Sequence, residues 1–525
     1  MYTEKSFRNL IDYWGERSPE REAIFDGQLR ITYGELNKEV QQLSSALTLL
    51  DIQKNDKVLI LLPNWYEFIA LYMAIAKIGA IAVPCNCALK GKELEQRIHI
   101  IDPKAVFVSN SSQLSWLREN YEFPLIVTTR FKEDGYDSYI DLLHLGDLLK
   151  IGENSIFDQV EIDPKEDLYA ILFTSGSTGH PKGVQVTPHN LFQSAKSIGF
   201  RINCSSQDTV LVPLPCGHTF GLLAGVLMPL FFGAKIVLME KHRPIETLDL
   251  IGQEKVTVHL GVPTMFIREL EHFRNDKRNI SSLRTGIVAG APCPETIMRQ
   301  IYSEFNVELM NLYGSSEAMG ISMTGLYDSM DRRFQTSGRI FEGVELKVIN
   351  EEGSSAGQGL VGELAVKGEG LMKGYYQMPR ETAEVIDEDG WFHTGDLVTV
   401  DSLGYIKIVG RKKDLIIRGG NNIVPAEVEC IYFSHPSVVE VYVFGIPDNI
   451  LGERTYACIT LKENCKETET TLKEYAIGKI AKYKIPDHIV LLQEMPRLAN
   501  GKINKKSLVD YCIKGQGRGT QFRLA

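Results

Sequence analysis

The sequence predicts an α/β protein with a large N-terminal domain of two α/β subdomains plus a small β-barrel, followed by a small α+β C-terminal domain. Three observations carry this. Helical patterns alternate with short apolar runs over the first 330 residues, glycine-separated β-rich runs follow, and the remaining hundred or so residues mix helix with strand.

The first alternating stretch, Asn9 to about Gln159, holds apolar runs at 57–62, 80–83, 105–108 and 124–127, as expected of a parallel sheet covered by helices. The rhythm resumes at 168–173 and continues through 235–238, 256–259 and 285–288. After about Asp331 the texture changes to short strands at 344–349 and 362–367 separated by glycine turns, which suits a small barrel. It changes again around 410–414, before a helical run at 427–435 and a strand at 439–444. The expected boundaries are 1–410 for the N-terminal domain, with subdomains 1–165 and 166–330 and the barrel 331–410, and 411–525 for the C-terminal domain.

Composition narrows the function classes. At 525 residues, 44% of them hydrophobic, the chain can bury several cores. A net charge of −10 with both signs interspersed offers no basic stripe for a phosphate backbone, so nucleic acid is not an expected partner. The nine cysteines are scattered, and Cys85 and Cys87 lack further ligands at zinc spacing, so reduced thiols in a cytoplasmic protein are expected. Glu4, Arg8 and Asp12 interrupt the apolar residues of the N-terminus, which reads as an amphipathic first helix and not as a secretory signal. The longest apolar stretch, 220–234, is broken by Gly221, Gly225, Pro229 and Gly233 and is shorter than the roughly 20 residues of a membrane span. A buried helix plus strand is expected there, with no integral membrane segment.

The predicted strand at 168–173 runs into Thr174, Ser175, Gly176, Ser177, Thr178, Gly179 and then Lys182. Four hydroxyls, two glycines and one cation are what a loop needs to wrap a polyphosphate with backbone N–H groups and a side-chain charge. The spacing is not that of a Walker A loop, and a bare turn is the alternative reading of the loop alone.

Residues 174–184 (TSGSTGHPKGV) resemble the signature loop of the superfamily of AMP-forming acyl-CoA synthetases, peptide-synthetase adenylation domains and beetle luciferases. Five further motifs follow in that superfamily's order: 311–317 (NLYGSSE), 390–396 (GWFHTGD), 410–414 (GRKKD), 419–427 (GGNNIVPAE) and 496–502 (PRLANGK). The resemblance covers essentially the whole chain and is nearest in look to medium- and long-chain fatty acyl-CoA synthetases. It implies an enzyme that uses ATP and Mg²⁺ to convert a carboxylic acid to an acyl-adenylate, with release of pyrophosphate, and then passes the acyl group to coenzyme A.

The resemblance also implies roles. Lys502 bridges the carboxylate and the α-phosphate, where two anions must meet; alone, it would read as a solvated lysine on a hairpin tip. Glu317 holds Mg²⁺ through oxygen, with Thr178 or a water, against the alternative of a helix-capping glutamate. Tyr313 stacks on adenine, Gly290, Ala291 and Pro292 close its other face, and Asn311, Gly314, Ser316 and Ile408 complete the nucleotide's surroundings. Asp396 has the acceptor pair for two ribose hydroxyls, and Arg411 is the second ribose or phosphate contact. In isolation these two read as a turn aspartate and a surface arginine. Lys413 is the hinge about which a mobile C-terminal domain swings, bringing the Gly419–Gly420 turn to the acyl-adenylate for thiol attack.

The segment 215–221 occupies the position of the superfamily's acid-pocket motif, and His218 resembles a residue that gates it; an ordinary buried histidine is the competing reading. No aspartate stands there to meet an ammonium, which disfavours a free α-amino acid. Residues 261–264 and 314–320, with Met319, are small or apolar, so a hydrophobic acyl or aryl acid fits better. One departure is 187–190 (TPHN), where the superfamily's histidine usually follows the threonine directly. A carrier protein's phosphopantetheine arm is the alternative acceptor, a benzoate-like acid the alternative substrate, and an inactive acyl-AMP or ATP sensor the alternative class. A monomer or homodimer is expected.

Overall fold

The computed structural model describes residues 9–131, 142–155, 157, 160–175, 180–462, 465–497 and 503–515. Thr178 and Lys502 therefore lie outside the described residues, as do Gly176, Ser177 and Gly179.

Eight strands form the first sheet. Lys57–Leu61, Ile81–Pro84, Ala105–Val108, Leu125–Thr128, Leu142–His144 and Ala170–Ser175 are parallel, and antiparallel Pro181–Val186 leads to the edge pair Gly374–Tyr375. Nine strands form the second. Thr209–Val212, Lys235–Leu238, Val258–Gly261, Thr285–Val288 and Glu308–Ser315 are parallel, with Met319–Met323 and Arg339–Ile340 at one edge and Glu22–Phe25 and Arg30–Thr32 at the other. The expected 256–259 strand starts two residues late because Val256 N still bonds Ile251 O, closing the preceding helix.

The sheets divide the chain differently from the expected boundary near 165. The strand pair Ala170–Ser175 and Pro181–Val186 belongs to the first sheet, while Glu22–Thr32 belongs to the second. Pairing partners far apart in sequence, invisible to local periodicity, decide this. Helix Tyr66–Lys77 lies between the sheets with all 12 residues buried, and its core cluster draws on Val58 and Ile60 of one sheet and Val212 and Ile236 of the other. Each fully buried aliphatic side chain there contributes roughly 1.5–3 kcal/mol. Lys77 is tolerated inside because Asp12 of helix Leu10–Arg17 meets its Nζ at 2.6 Å.

The stretch 220–234 is a buried helix followed by a strand, as expected. It opens as the π-helix Gly221–Leu227, continues as Met228–Phe232 and ends on Gly233 at φ +71 before strand Lys235–Leu238. Among the described residues no helix is long and apolar enough to cross a membrane.

The expected barrel is a four-stranded antiparallel sheet, Val344–Ile349, Gly362–Gly368, Phe392–Val400 and Ile406–Arg411, paired in that linear order. Its first and last strands do not pair with each other. Instead, Ala318, Ile321 and Tyr313 from the edge region of the second sheet pack on the inner face of Leu364, Val366, Phe392 and Val398.

The C-terminal domain is α+β. Strands Val438–Asp448 and Gly452–Leu461 form a long hairpin, joined by Ile416–Arg418, Asn421–Ile423 and the parallel strand His488–Leu492. Helix Pro425–Phe433 packs on it and carries Glu429, whose Oε1 accepts from Val443 N at 2.8 Å. Burial raises this carboxyl to about 7. The folded state thus holds a proton that the unfolded chain releases near 4.5, so the contribution of Glu429 to stability is fully present below about 4.5 and is lost as pH rises to about 7. Glu429→Gln is expected to remove that decline, a gain of about 1–2 kcal/mol at pH 8 and little at pH 4.5. Urea midpoints of wild type and variant at the two pH values measure it.

Candidate active site

Three predicted residues meet at one carboxylate. Asp396, in Phe392–Val400, lies in register opposite Arg411, the last residue of Ile406–Arg411. Tyr313 OH donates to its Oδ2 at 2.6 Å and Arg411 Nε to its Oδ1 at 2.8 Å. Burial and then the Asp396 charge push the Tyr313 phenol far above its ordinary range, which keeps it a neutral donor. Burial opposes the charge on Arg411, but Asp396, Tyr313 and Asp414 together outweigh it and hold the guanidinium above its ordinary range. Each Asp396 oxygen retains a second lone pair, enough to accept from two neighbouring hydroxyls. Beside it a cavity of about 300 Å³ is lined by Thr394, Gly395, Arg411, Lys412 and Lys413.

Glu317 sits in the turn between Glu308–Ser315 and Met319–Met323. The turn closes so tightly that a Cβ on Gly314 would lie 2.0 Å from Met319 O, and Met319 itself adopts φ +52. Glu317 Oε1 accepts from Tyr375 OH at 3.0 Å, and its carbonyl accepts from Met372 N at 2.7 Å. Tyr375 pairs with the strand that carries Lys182, whose Nζ lies 4.7 Å from the tyrosine ring centroid. Thus Lys182, Tyr375 and Glu317 form a line from the loop's lysine to the turn's carboxylate.

Sequence reasoning missed Tyr375, which reads as one more residue of a glycine-turn region. It also missed Asn64. That buried side chain accepts from Cys216 N at 2.8 Å and donates to Leu214 O and Met239 O at 2.7 and 2.8 Å, fixing the entry to segment 215–221. Within the segment, Phe220 N donates to His218 Nδ1 at 3.4 Å and Leu222 N to His218 O at 2.8 Å, so His218 stands at the start of the helical turn that leads into the π-helix Gly221–Leu227. Gly221 is required, because a Cβ would lie 2.2 Å from Pro215 O. Thr219 Oγ1 and Ser316 Oγ are 2.6 Å apart, which joins this segment to the Glu317 turn.

Other predicted residues are distributed around this centre. Asn311 spends its amide hydrogens on Arg333 O and Thr336 O, at 2.7 and 3.2 Å, leaving its Oδ1 to accept. Gly290, Ala291 and Pro292 are exposed just beyond strand Thr285–Val288, with Gly290 at φ +85. Ile408 packs with Tyr313 on the small-sheet core. Thr174 pairs with Lys182 and Ser175 with Pro181, so the phosphate-type loop joins two antiparallel strands. Gly419 and Gly420 turn between Ile416–Arg418 and Asn421–Ile423, and their bonds, Gly419 N to Leu451 O and Asn421 Nδ2 to Gly419 O, stay within the C-terminal domain. The displaced histidine of 187–190 pairs with Glu369, Nε2 to Oε2 at 2.8 Å, while Thr187 and Asn190 form a capping box.

Among the described residues no group of three His, Cys, Asp or Glu side chains is placed to hold a metal. The donor set fits Mg²⁺ all the same, since that ion is commonly held by one or two carboxylates with phosphate and water completing its shell. Glu317 supplies one such carboxylate, with Oε2 left over after Oε1 meets Tyr375.

The profile of the AMP-binding enzyme family matches residues 11–376, and that of the AMP-binding enzyme C-terminal domain matches 427–502. YngI of Bacillus subtilis (strain 168), an acyl-CoA synthetase by assignment, is 34% identical over 96% of this chain and 96% of its own. The medium-chain fatty-acid–CoA ligase of Escherichia coli (strain K12) is 31% identical over 95% of this chain and 89% of its own. The crystal structure of ATP-bound MatB from Rhodopseudomonas palustris superposes with a TM-score of 0.86 at 27% identity, covering 97% of this chain and 99% of that one. The apo structure of the same protein gives 0.77. Matched by the family's profile over well above half its length, and by relatives over nearly all of it, the chain belongs to the AMP-binding enzyme family.

Proposed function

We propose that this protein uses ATP to convert an apolar carboxylic acid, of medium-chain fatty acyl type, to an acyl-adenylate, and then transfers the acyl group to coenzyme A. The Asp396 carboxylate, braced by Tyr313 and Arg411 with acceptor capacity to spare, carries the reading as a ribose clamp. The relatives named above support the acid class, and the higher TM-score against ATP-bound than apo MatB supports an adenylating arrangement of the domains.

In the first half-reaction a carboxylate oxygen attacks the α-phosphorus and the α–β phosphoanhydride bond breaks, releasing pyrophosphate. Lys502 neutralises the two anions as they meet, Lys182 and the loop 174–179 hold the departing phosphates, and Asn311 accepts from the adenine amine. Mg²⁺, held by Glu317 with Thr178 or water, would offset phosphate charge. Tyr375 keeps the Glu317 carboxylate in place. Tyr375→Phe retains the ring beneath Lys182 but removes the donor. It is expected to slow pyrophosphate release by about tenfold and raise the Mg²⁺ requirement, with melting temperature little changed, as a Mg²⁺ titration of initial rates will test.

In the second half-reaction the C-terminal domain turns about Lys413 and presents Gly419–Gly420 to the thiol's path, with His218 gating the acid pocket. The hinge turn Lys412–Asp414 is tethered by Lys412 to Glu363 at 2.9 Å and by Lys505 to Asp414 at 3.1 Å. Of the two, the Lys412–Glu363 pair crosses the hinge, and an exposed pair of this kind contributes at most about 1 kcal/mol, so rotation can break it. All nine cysteines are free thiols, which supports a reducing compartment such as the cytoplasm.

The deciding experiment is carboxylate-dependent pyrophosphate release over fatty acids of graded length and benzoates, with and without coenzyme A. Release with medium-chain acids, with thioester formed only when coenzyme A is present, is expected. Thioester on a carrier protein alone would reassign the acceptor, and no release with any acid would overturn the reading.

A further inference from the structure

A second cavity, about 500 Å³ in volume, opens where the edge strand Arg339–Ile340 meets the small sheet. It is lined by Arg201 and Arg339 together with Ile340, Leu346, Val400, Leu403 and Gly404, with no acidic side chain among the described residues of its wall. Its size is that of a small-molecule site.

The charges here are incompletely matched. Arg201 ends helix Pro188–Arg201, and its Nη2 donates to Arg339 O at 3.2 Å and Ile340 O at 2.9 Å. Among the described residues no carboxylate forms an ion pair with it. Burial pulls Arg201 below the ordinary guanidinium range, with Asp328 opposing and Arg339 adding to the effect. Among the described residues the one carboxylate that Arg339 meets is distant, Asp328 Oδ1 at 3.8 Å, and that oxygen already accepts from Tyr405 OH at 2.6 Å, while the guanidinium carbon lies 5.3 Å from the Tyr405 ring centroid. One acid thus faces two cations and leaves about one positive charge unmatched, shared between the partly buried Arg201 and the half-exposed Arg339, where an arriving anion would be favoured. The remaining lining is aliphatic, and Leu403 is held 62% exposed at its rim.

We propose that this cavity is a second ligand site for a monoanion with an aliphatic tail, namely a free medium-chain carboxylate. The guanidiniums take the carboxylate oxygens, for which their planar donor fork is suited, and Leu346, Val400 and Leu403 cover the chain. A dianionic phosphate would overshoot the unmatched charge. Adenylation needs no such site, so the inference goes beyond the proposed function.

The test is equilibrium dialysis of decanoate against the full-length protein, without ATP, with decanoyl-sulfamoyl-adenosine present to fill the adenylation site. Wild type is expected to bind one decanoate per chain under this block. Arg339→Ala and Leu403→Glu, both at exposed positions, are expected to weaken that binding at least tenfold while pyrophosphate release stays at the wild-type rate. No decanoate bound under the block, or both variants binding as wild type does, would overturn the proposal. Capture on phosphatidylglycerol vesicles without binding of free decanoate would also overturn it, in favour of a lipid headgroup surface. If instead the adenylation reading is what fails, the analogue blocks nothing, yet the decanoate sensitive to Arg339→Ala is still found.

Discussion

Lys502→Ala is expected to slow pyrophosphate release by about 10²–10³-fold while leaving thioester formation from chemically prepared acyl-adenylate within a few fold of wild type. The asymmetry follows from charge. Two anions must approach in the first half-reaction, whereas a thiol meets a neutral carbonyl carbon in the second. Lys502 lies outside the described residues, but its flanks are fixed: Arg497 and Ile503 form an antiparallel bridge, and Asn504 N donates to Pro496 O at 2.8 Å. Arg497 and Ile503 both belong to the C-terminal domain, so a lysine joined directly to Ile503 in sequence travels with that domain. Deleting 411–525 should therefore abolish both steps. Acyl-AMP formation by the alanine variant at wild-type rate, in a single-turnover assay, would refute the assignment.

Asp396→Asn is expected to lower kcat/KM for ATP by about 10²–10³-fold, because it weakens two charge-assisted hydrogen bonds of roughly 1.5–3 kcal/mol each. The same change leaves the Arg411 guanidinium without its counter-charge. A purely structural loss is separated from a lost ribose contact with 2′-deoxy- and 3′-deoxy-ATP. Wild type should lose rate with each analogue, and the asparagine variant should lose little more. Equal further losses in both proteins would show that Asp396 does not hold the ribose.

The residues around Asp396 were legible through the resemblance of their short motifs, since in isolation Asp396 and Arg411 read as a turn aspartate and a surface arginine. Tyr313, Glu317, Asp396 and Arg411 were each placed from sequence, and the structure brings Tyr313, Asp396 and Arg411 to one carboxylate. Strand runs such as 57–62 and 285–288 were legible because burial on both faces leaves an unbroken apolar signature. Long-range pairing was not. Gly374–Tyr375 is two residues long and gains its place only by pairing with Pro181–Val186, so neither its strand nor the Tyr375–Glu317 bond had a local signal. Asn64 was hidden for the same reason, since its partners Leu214, Cys216 and Met239 lie on distant segments. The barrel expectation followed the glycine-turn spacing correctly as to strands, but closure depends on whether edge strands meet, which spacing does not encode.

The crossing of strands between the two sheets has a consequence for biosynthesis. Ile24 pairs with Ile236, and the Tyr33 hydroxyl reaches Ala234, 201 positions later. As the chain leaves the ribosome, the first strand must wait for nearly half of the polypeptide before its sheet exists, with an apolar edge open meanwhile. The first sheet waits longer still, until Gly374–Tyr375 caps its edge. Neither α/β unit can be completed on its own, so both sheets close only late in synthesis, after strands from distant parts of the chain have been made.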